Sequence, residues 1–263
     1  VIVGICGLSG SGKDEVGKVL VKKHEFVAIA FADVMKRVCM EVFNFTEEQL
    51  WGDGKNEQDE RYFSGHKLKW NDAEGAYICT LCGAEFEDDI GDGEKCFALT
   101  PRFALQKLGS WGRECYPDVW AEHTLRVAQE LMADKEAGCG ETLVEYHPTR
   151  GILHLDEDDP DLSAPPNGVV ITDVRFKNEI AAIKKAGGKV VRITRPGHEE
   201  PKWNHASETE QLEVSDEEFD YLIDNSGDLH YLGLLVDRMM DVFGGKIIPY
   251  DEEQADVPPF KRR

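Results

Sequence analysis

The sequence predicts an α/β protein: a five-stranded parallel sheet with helices on both faces. Three observations predict it. Five short apolar runs, at residues 1–6, 26–31, 168–176, 190–195 and 221–225, have the texture of strands buried on both faces. Segments of helical periodicity separate them, the arrangement that right-handed crossovers between parallel strands require. The first run passes directly into a glycine-rich turn that ends in Gly12-Lys13.

That turn, Gly7-Leu8-Ser9-Gly10-Ser11-Gly12-Lys13, has the spacing of a P-loop, in which backbone N–H groups wrap phosphate oxygens and the lysine reaches the terminal ones. The helix expected from Lys13 to about His24 would direct its positive dipole end at the same anion. Gly10, Ser11, Gly12, Lys13, Asp14 and Glu15 are thus the candidate nucleotide-binding residues. Asp14 stands where a Ser or Thr usually meets magnesium, and a carboxylate there, or Glu15 beside it, can support Mg2+ directly or through water.

The second strand ends at Ala32-Asp33, and a helix over 34–43 carries Lys36 and Arg37 in its first turns. A buried strand closing in polar residues puts them at the carboxyl edge of the sheet, where open α/β folds take ligands. Residues 46–96 then turn polar and acidic. Within them Cys79-Thr80-Leu81-Cys82-Gly83 has the form of a zinc knuckle. Cys96 supplies a third ligand, and His66 is the candidate for a fourth, with the 88–92 aspartates behind it. Thr100-Pro101 caps a helix bearing Arg102, Gln106 and Lys107; a Gly109-Ser110-Trp111 turn then leads past Arg113 to a second amphipathic helix over 118–132.

Residues 134–167 read as an acidic, hairpin-like insertion, with strands at 142–146 and 151–155 and an acidic loop at 156–161, solvated and not a site. The strand at 168–176 closes with Asp173-Val174-Arg175 and is followed by a helix over 178–186 containing Glu179. After the fourth strand, the polar stretch 197–213, with Trp203 and His205, has the character of a lid. A final helix spans 228–243 and a tail 251–263. The core is thus expected in three pieces, 1–45, 97–133 and 168–250.

Composition narrows the function further. Thirty basic against fifty-one acidic residues give a formal charge of -21, which repels a nucleic-acid polymer. No apolar run is long enough to span a bilayer and no secretory pattern is present, so a cytoplasmic location is expected. Seven cysteines, an odd number, argue for thiols or metal ligands over a disulfide framework.

Lys13, Lys36, Arg102, Arg113, Arg175, Arg192 and Arg195 each fall near the end of an expected element, the distribution that phosphoryl transfer needs. A guanine-reading Asn-Lys-x-Asp is missing, and the third strand ends in Asp-Val-Arg where a motor ATPase carries Asp-Glu. The combination of Gly12-Lys13-Asp14, Phe31-Ala32-Asp33 with Lys36, Thr100-Pro101-Arg102 with Gln106, Asp173-Val174-Arg175-Phe176-x-Asn178-Glu179, His205-x-Ser207-Glu208 and Ile223-Asp224-Asn225 resembles the bacteriophage-type deoxynucleoside monophosphate kinases, a branch of the P-loop kinases.

The resemblance covers most of the chain outside the two insertions. It implies transfer of the ATP γ-phosphate to a deoxynucleoside 5'-monophosphate, with Mg2+, often in a homodimer. It implies catalytic roles for Lys13 and Arg175, Asn225 beside the donor adenine, and an acceptor site drawn from Asp33, Lys36, Arg102, Gln106 or Trp111, Asp173, Glu179, Trp203 and His205. A kinase resembling dephospho-coenzyme A kinase is the close alternative. A nucleotide-gated zinc-ribbon interaction module is the distant one.

Overall fold

The chain begins with β1 (Ile2–Cys6), α1 (Lys13–His24) and β2 (Phe26–Ile29), and continues through α2 (Phe31–Phe43) and the short α3 (Glu47–Leu50). Small strands follow: β3 (Phe63–Gly65), β4 (Leu68–Asn71), β5 (Ala76–Cys79), β6 (Glu85–Phe86) and β7 (Lys95–Ala98). Next come α4 (Pro101–Cys115), α5 (Val119–Ala137) and the hairpin of β8 (Leu143–His147) and β9 (Gly151–Leu155). The last part holds β10 (Gly168–Val174), α6 (Lys177–Lys185), β11 (Lys189–Thr194), β12 (Tyr221–Asp224) and α7 (Leu229–Phe243). This computed structural model describes residues 1–65, 68–79, 85–86, 95–137, 143–155, 166–198 and 210–245, with the backbone alone at 63–65, 95–98, 134–137, 143–144 and 154–155.

Contacts divide the chain into two compact units, one of Val1–Ala28 with Asn167 onward, the other of Ile29–Pro166. The division does not follow composition: α2, α4 and α5 belong to the same unit as the two polar segments that interrupt them.

The first unit holds the five-stranded sheet, in the order β12-β11-β1-β10-β2. β1 pairs in parallel with β10 and β11, and β11 with β12. Its two faces can be read from the period-two alternation of β1. Val3 and Ile5 join Val16 and Leu20 of α1 and Leu232, Val236 and Met239 of α7 in one buried cluster. Gly4, pointing the other way, lies against Ile183 of α6. Helices therefore cover both faces, and every residue of β1 is buried. Each such fully buried aliphatic side chain contributes about 1.5–3 kcal/mol.

In the second unit, Cys39, Phe45, Leu50 and Ala104 form a separate core, with Phe43, Trp51, Tyr62, Leu105 and Leu108 packed against it. α2 starts at Phe31, three residues ahead of the expected boundary. The Asp33 carboxylate accepts the Ala30 N–H at 2.9 Å, the half of a capping box that an alanine cap permits, and this ends β2 at Ile29.

The expected Gly109-Ser110-Trp111 turn is a correction: α4 runs unbroken through it to Cys115. These glycines serve close packing. Trp120 of α5 donates its indole N–H to the Gly109 carbonyl at 3.0 Å and packs against Gly112, where a Cβ would collide with the ring. Gly112→Ala should push the indole out and destabilise the protein by about 1–3 kcal/mol, the usual range for overpacking. A melting curve unchanged from wild type would contradict the packing argument.

Among the described residues no helix is long and apolar enough to cross a membrane.

Candidate functional site

In the first unit the carboxyl ends of neighbouring strands lie on one side of the sheet, β1 and β10 ending together and β11 and β12 together two residues further on. Cys6 is in register with Val174 and with Arg192, and Thr194 with Asp224. The residues just past them, from Gly7 to Asp14, Arg175 and Asn225, are thereby set along one sheet edge, where parallel sheets take ligands. Cys6 reports the same convergence: burial pushes its thiol up to about 11, against the pull of Arg192, Lys13 and Arg175. Lys13 and Arg175 thus both act on one buried sulfur.

The turn from β1 to α1 closes as the glycine spacing predicts. The Ser11 N–H donates to Leu8 O at 3.1 Å, the Glu15 and Val16 N–H groups both reach Gly12 O at 3.1 Å, and Lys13 Nζ arches back to Leu8 O at 3.0 Å. Gly10 and Gly12 have φ of 84° and 105°, in the left-handed region that glycine alone enters cheaply. Behind the turn, Asn225 is buried; its side-chain amide donates to Ser11 O at 2.9 Å, and its backbone N–H donates to Thr194 O at 2.8 Å. Asn225 therefore braces the loop from the β12 side. Ser11 Oγ is buried with no hydrogen-bond partner among the described residues.

Of the two acids that follow, Glu15 is ion-paired to Lys18 at 2.7 Å, whereas Asp14 is exposed in the first turn of α1 and takes part in no hydrogen bond or ion pair among the described residues. A hard oxygen donor beside a glycine-rich loop of this kind fits magnesium, so of the two acids Asp14 is the one that could hold it. A recess of about 280 Å3 flanks α1, lined by Gly17, Lys22, Ala28 and Thr172, and it meets the P-loop only at Asp14.

After β10 the chain turns sharply into α6, and Glu179 fixes the turn. Its Oε2 accepts the N–H groups of Arg175 at 2.7 Å and Phe176 at 3.0 Å. Burial pushes this carboxyl up to about 8, and the nearby Asp173 adds to the rise, against the two backbone donors and the Arg175 charge. Glu179 thus sets the backbone on which Arg175 is mounted. Arg192 is committed elsewhere: its guanidinium donates to Gln211 O, Val214 O and Asp216 Oδ1 and lies 4.2 Å over the Phe219 ring, pinning residues 211–219 to the sheet.

In the second unit Asp33 is a hub. It is 4% exposed, and its Oδ2 accepts Ala30 N–H at 2.9 Å and Tyr146 O–H at 2.8 Å, while Oδ1 accepts Trp51 Nε1–H at 3.1 Å and Lys36 Nζ at 3.3 Å. The Lys36 side chain is 12% exposed, its ammonium 5.0 Å from the centroid of the Trp51 ring.

Arg102, Gln106 and Arg113 share one face of the unbroken α4, within about 40° of arc at 100° per residue, and Trp111 lies about 140–180° away. Of the two candidates for reading a base, Gln106 is the one beside the arginines. Trp111, 60% exposed, faces the other way. Arg102 Nε donates to Asn56 Oδ1 at 2.5 Å.

No family model matches the chain. It is similar to a protein of Acanthamoeba polyphaga mimivirus that is named, provisionally, deoxynucleotide monophosphate kinase. The two are 27% identical over 199 residues, 75% of each chain.

His66, Cys82, Trp203 and His205 lie outside the described residues, as does the side chain of Cys96. Cys79 is buried at the end of β5, and among the described residues no group of three or more His, Cys, Asp and Glu could hold a metal ion.

Three residues escaped the sequence reading. His198 lies over the P-loop, so close that a Cβ on Gly10 would come within 2.8 Å of its Nδ1. Trp51 and Tyr146 meet Asp33 from segments whose composition reads as insertion. The expectation that 134–167 is solvated is corrected at one position of its hairpin: Tyr146 is 9% exposed, because the strand alternation that leaves Glu145 in solvent turns its neighbour inward.

Proposed function

We propose that the protein transfers the γ-phosphate of ATP to a deoxynucleoside 5'-monophosphate. The observation that carries the reading is the P-loop with Lys13 and Asp14 on the same sheet edge as Arg175. The mimivirus relative, by its name, supports the class of acceptor. In this reading the P-loop amides and Lys13 hold the triphosphate, and Asp14 would hold Mg2+, which supplies charge neutralisation at the phosphates when bound. Arg175, on a backbone fixed by Glu179, stabilises the moving phosphoryl group. Lys36 and Arg102 hold the acceptor phosphate, and Gln106 faces its base.

The experiment is ADP release, coupled to a spectroscopic readout, with the common deoxynucleoside and ribonucleoside monophosphates and dephospho-coenzyme A as acceptors. Turnover with one or more deoxynucleoside monophosphates is the expected result. Turnover with dephospho-coenzyme A alone would transfer the protein to the rival kinase class.

A further inference from the structure

The family-like motif over residues 31–36 and the two polar segments lying outside it meet at one carboxylate. Trp51 comes from the segment 46–96 and Tyr146 from the segment 134–167, and both donate to Asp33. With the Ala30 N–H and Lys36 they saturate both oxygens. Asp33 therefore has no lone pair placed for a ligand, whereas Lys36 does have capacity: of its three N–H donors one is engaged, at 3.3 Å, among the described residues. An ammonium this enclosed, beside an anion that is itself pinned, is held in one place instead of sweeping through solvent.

We propose that Tyr146 and Trp51 are positioning residues for Lys36, which act through Asp33 to hold its ammonium ready for the dianionic phosphate of an incoming monophosphate. The hairpin is itself tied down for this task. Arg37, one residue past Lys36, donates to the Tyr146 hydroxyl at 3.3 Å and to the Pro148 carbonyl at 3.0 Å in the hairpin turn. Gly151, with φ of 82°, brings the returning strand against the same guanidinium. The Trp51 indole contributes twice, its N–H to Asp33 and its face to the lysine. The two polar segments are in this view walls of the acceptor site, and the choice of acceptor is set partly by residues outside the shared motif.

The inference rests on the kinase reading and is tested so that the two can fail separately. Tyr146→Phe removes one hydroxyl and keeps the ring; Trp51→Phe removes the indole donor. Each is expected to raise KM for the deoxynucleoside monophosphate about tenfold, the size of one lost hydrogen bond to a charged group, with kcat and the ATP KM within about twofold of wild type. In a Lys36→Ala background, Tyr146→Phe should add little, since its effect passes through the lysine. An unchanged acceptor KM in both variants, or losses that simply multiply with Lys36→Ala, would overturn the proposal.

If the wild-type protein transfers phosphate to no monophosphate, the kinase reading fails, and the positioning claim is then read from Lys36 itself. Its acetylation rate by acetic anhydride, which transfers an acetyl group to Nζ and releases acetate, followed by peptide mass spectrometry, should rise in Tyr146→Phe. An unchanged rate would remove the positioning claim too.

Discussion

Lys13→Ala is expected to lower the rate of phosphoryl transfer by about 10²–10³, the cost of removing one preorganised charge from a developing transition state, while leaving KM for the monophosphate within about threefold of wild type. The asymmetry follows from location: Lys13 belongs to the turn that begins α1, and its ammonium rests on the Leu8 carbonyl of that same turn. Deleting it removes that hydrogen bond, worth about 1 kcal/mol, from the resting protein, and a melting curve separates this loss from the loss of rate. Arg175→Ala should give the same pattern, through the migrating group and not the acceptor. Steady-state kinetics with each substrate varied separately decides the matter. A variant that kept near-normal kcat would strip the residue of its role, and one that lost acceptor affinity with kcat intact would move it to the acceptor side.

The sheet was legible because its signal is local. β1 is buried along its whole length and β10 over its first four residues, so both read as apolar runs, β11 and β12 keep an apolar core of two or three residues, and the P-loop sits on the one turn whose glycines and lysine have a fixed spacing. What resisted reading depended on partners far along the chain. Gly109 and Gly112 have the composition of a turn, and only the Trp120 indole reveals that they are flat spots on a helix. Tyr146 sits in an acidic stretch of ordinary alternating polarity, and its partner Asp33 is 113 positions away. Arg192 is similarly opaque: the sequence shows a cation at the end of a strand, whereas its three acceptors all come from the segment 211–216 that it pins.

These cases share a cause. Sequence shows which side chains can neutralise a phosphate, but not which of them the fold has already neutralised. Lys13, Arg175 and Arg192 all bear on the Cys6 thiol, and the last is closed off by two carbonyls and Asp216. Asp33 and Glu179 show the complement. Both are motif carboxylates that a reader assigns to a ligand, and both accept backbone N–H groups from the start of their own helix. Each therefore acts at one remove, Asp33 on Lys36 and Glu179 on Arg175.

Glu179 also gives the second large effect, on stability and its pH dependence. Its carboxyl is buried and pushed up to about 8 from an ordinary value near 4.5. Between those values the unfolded chain has released the proton and the folded chain retains it. Raising the pH through this window must then favour unfolding, with the loss beginning near 4.5 and levelling off above about 8. At about 1.4 kcal/mol per pK unit the loss is roughly a few kcal/mol. Glu179→Gln keeps a carbonyl acceptor for the Arg175 and Phe176 N–H groups and removes the proton. The variant should match or fall slightly below wild type in melting temperature at pH 5, and exceed it at pH 8.5. Taking the difference between the two proteins cancels the pH response of the other fifty acidic residues. Glu179→Ala should be the damaging change at every pH, because it strands two N–H groups in the turn at about 1–3 kcal/mol each. It should also lower kcat by releasing Arg175. An offset between wild type and Glu179→Gln that is the same at pH 5 and pH 8.5 would mean that the carboxyl titrates as an ordinary glutamate, and that burial does not dominate its energetics.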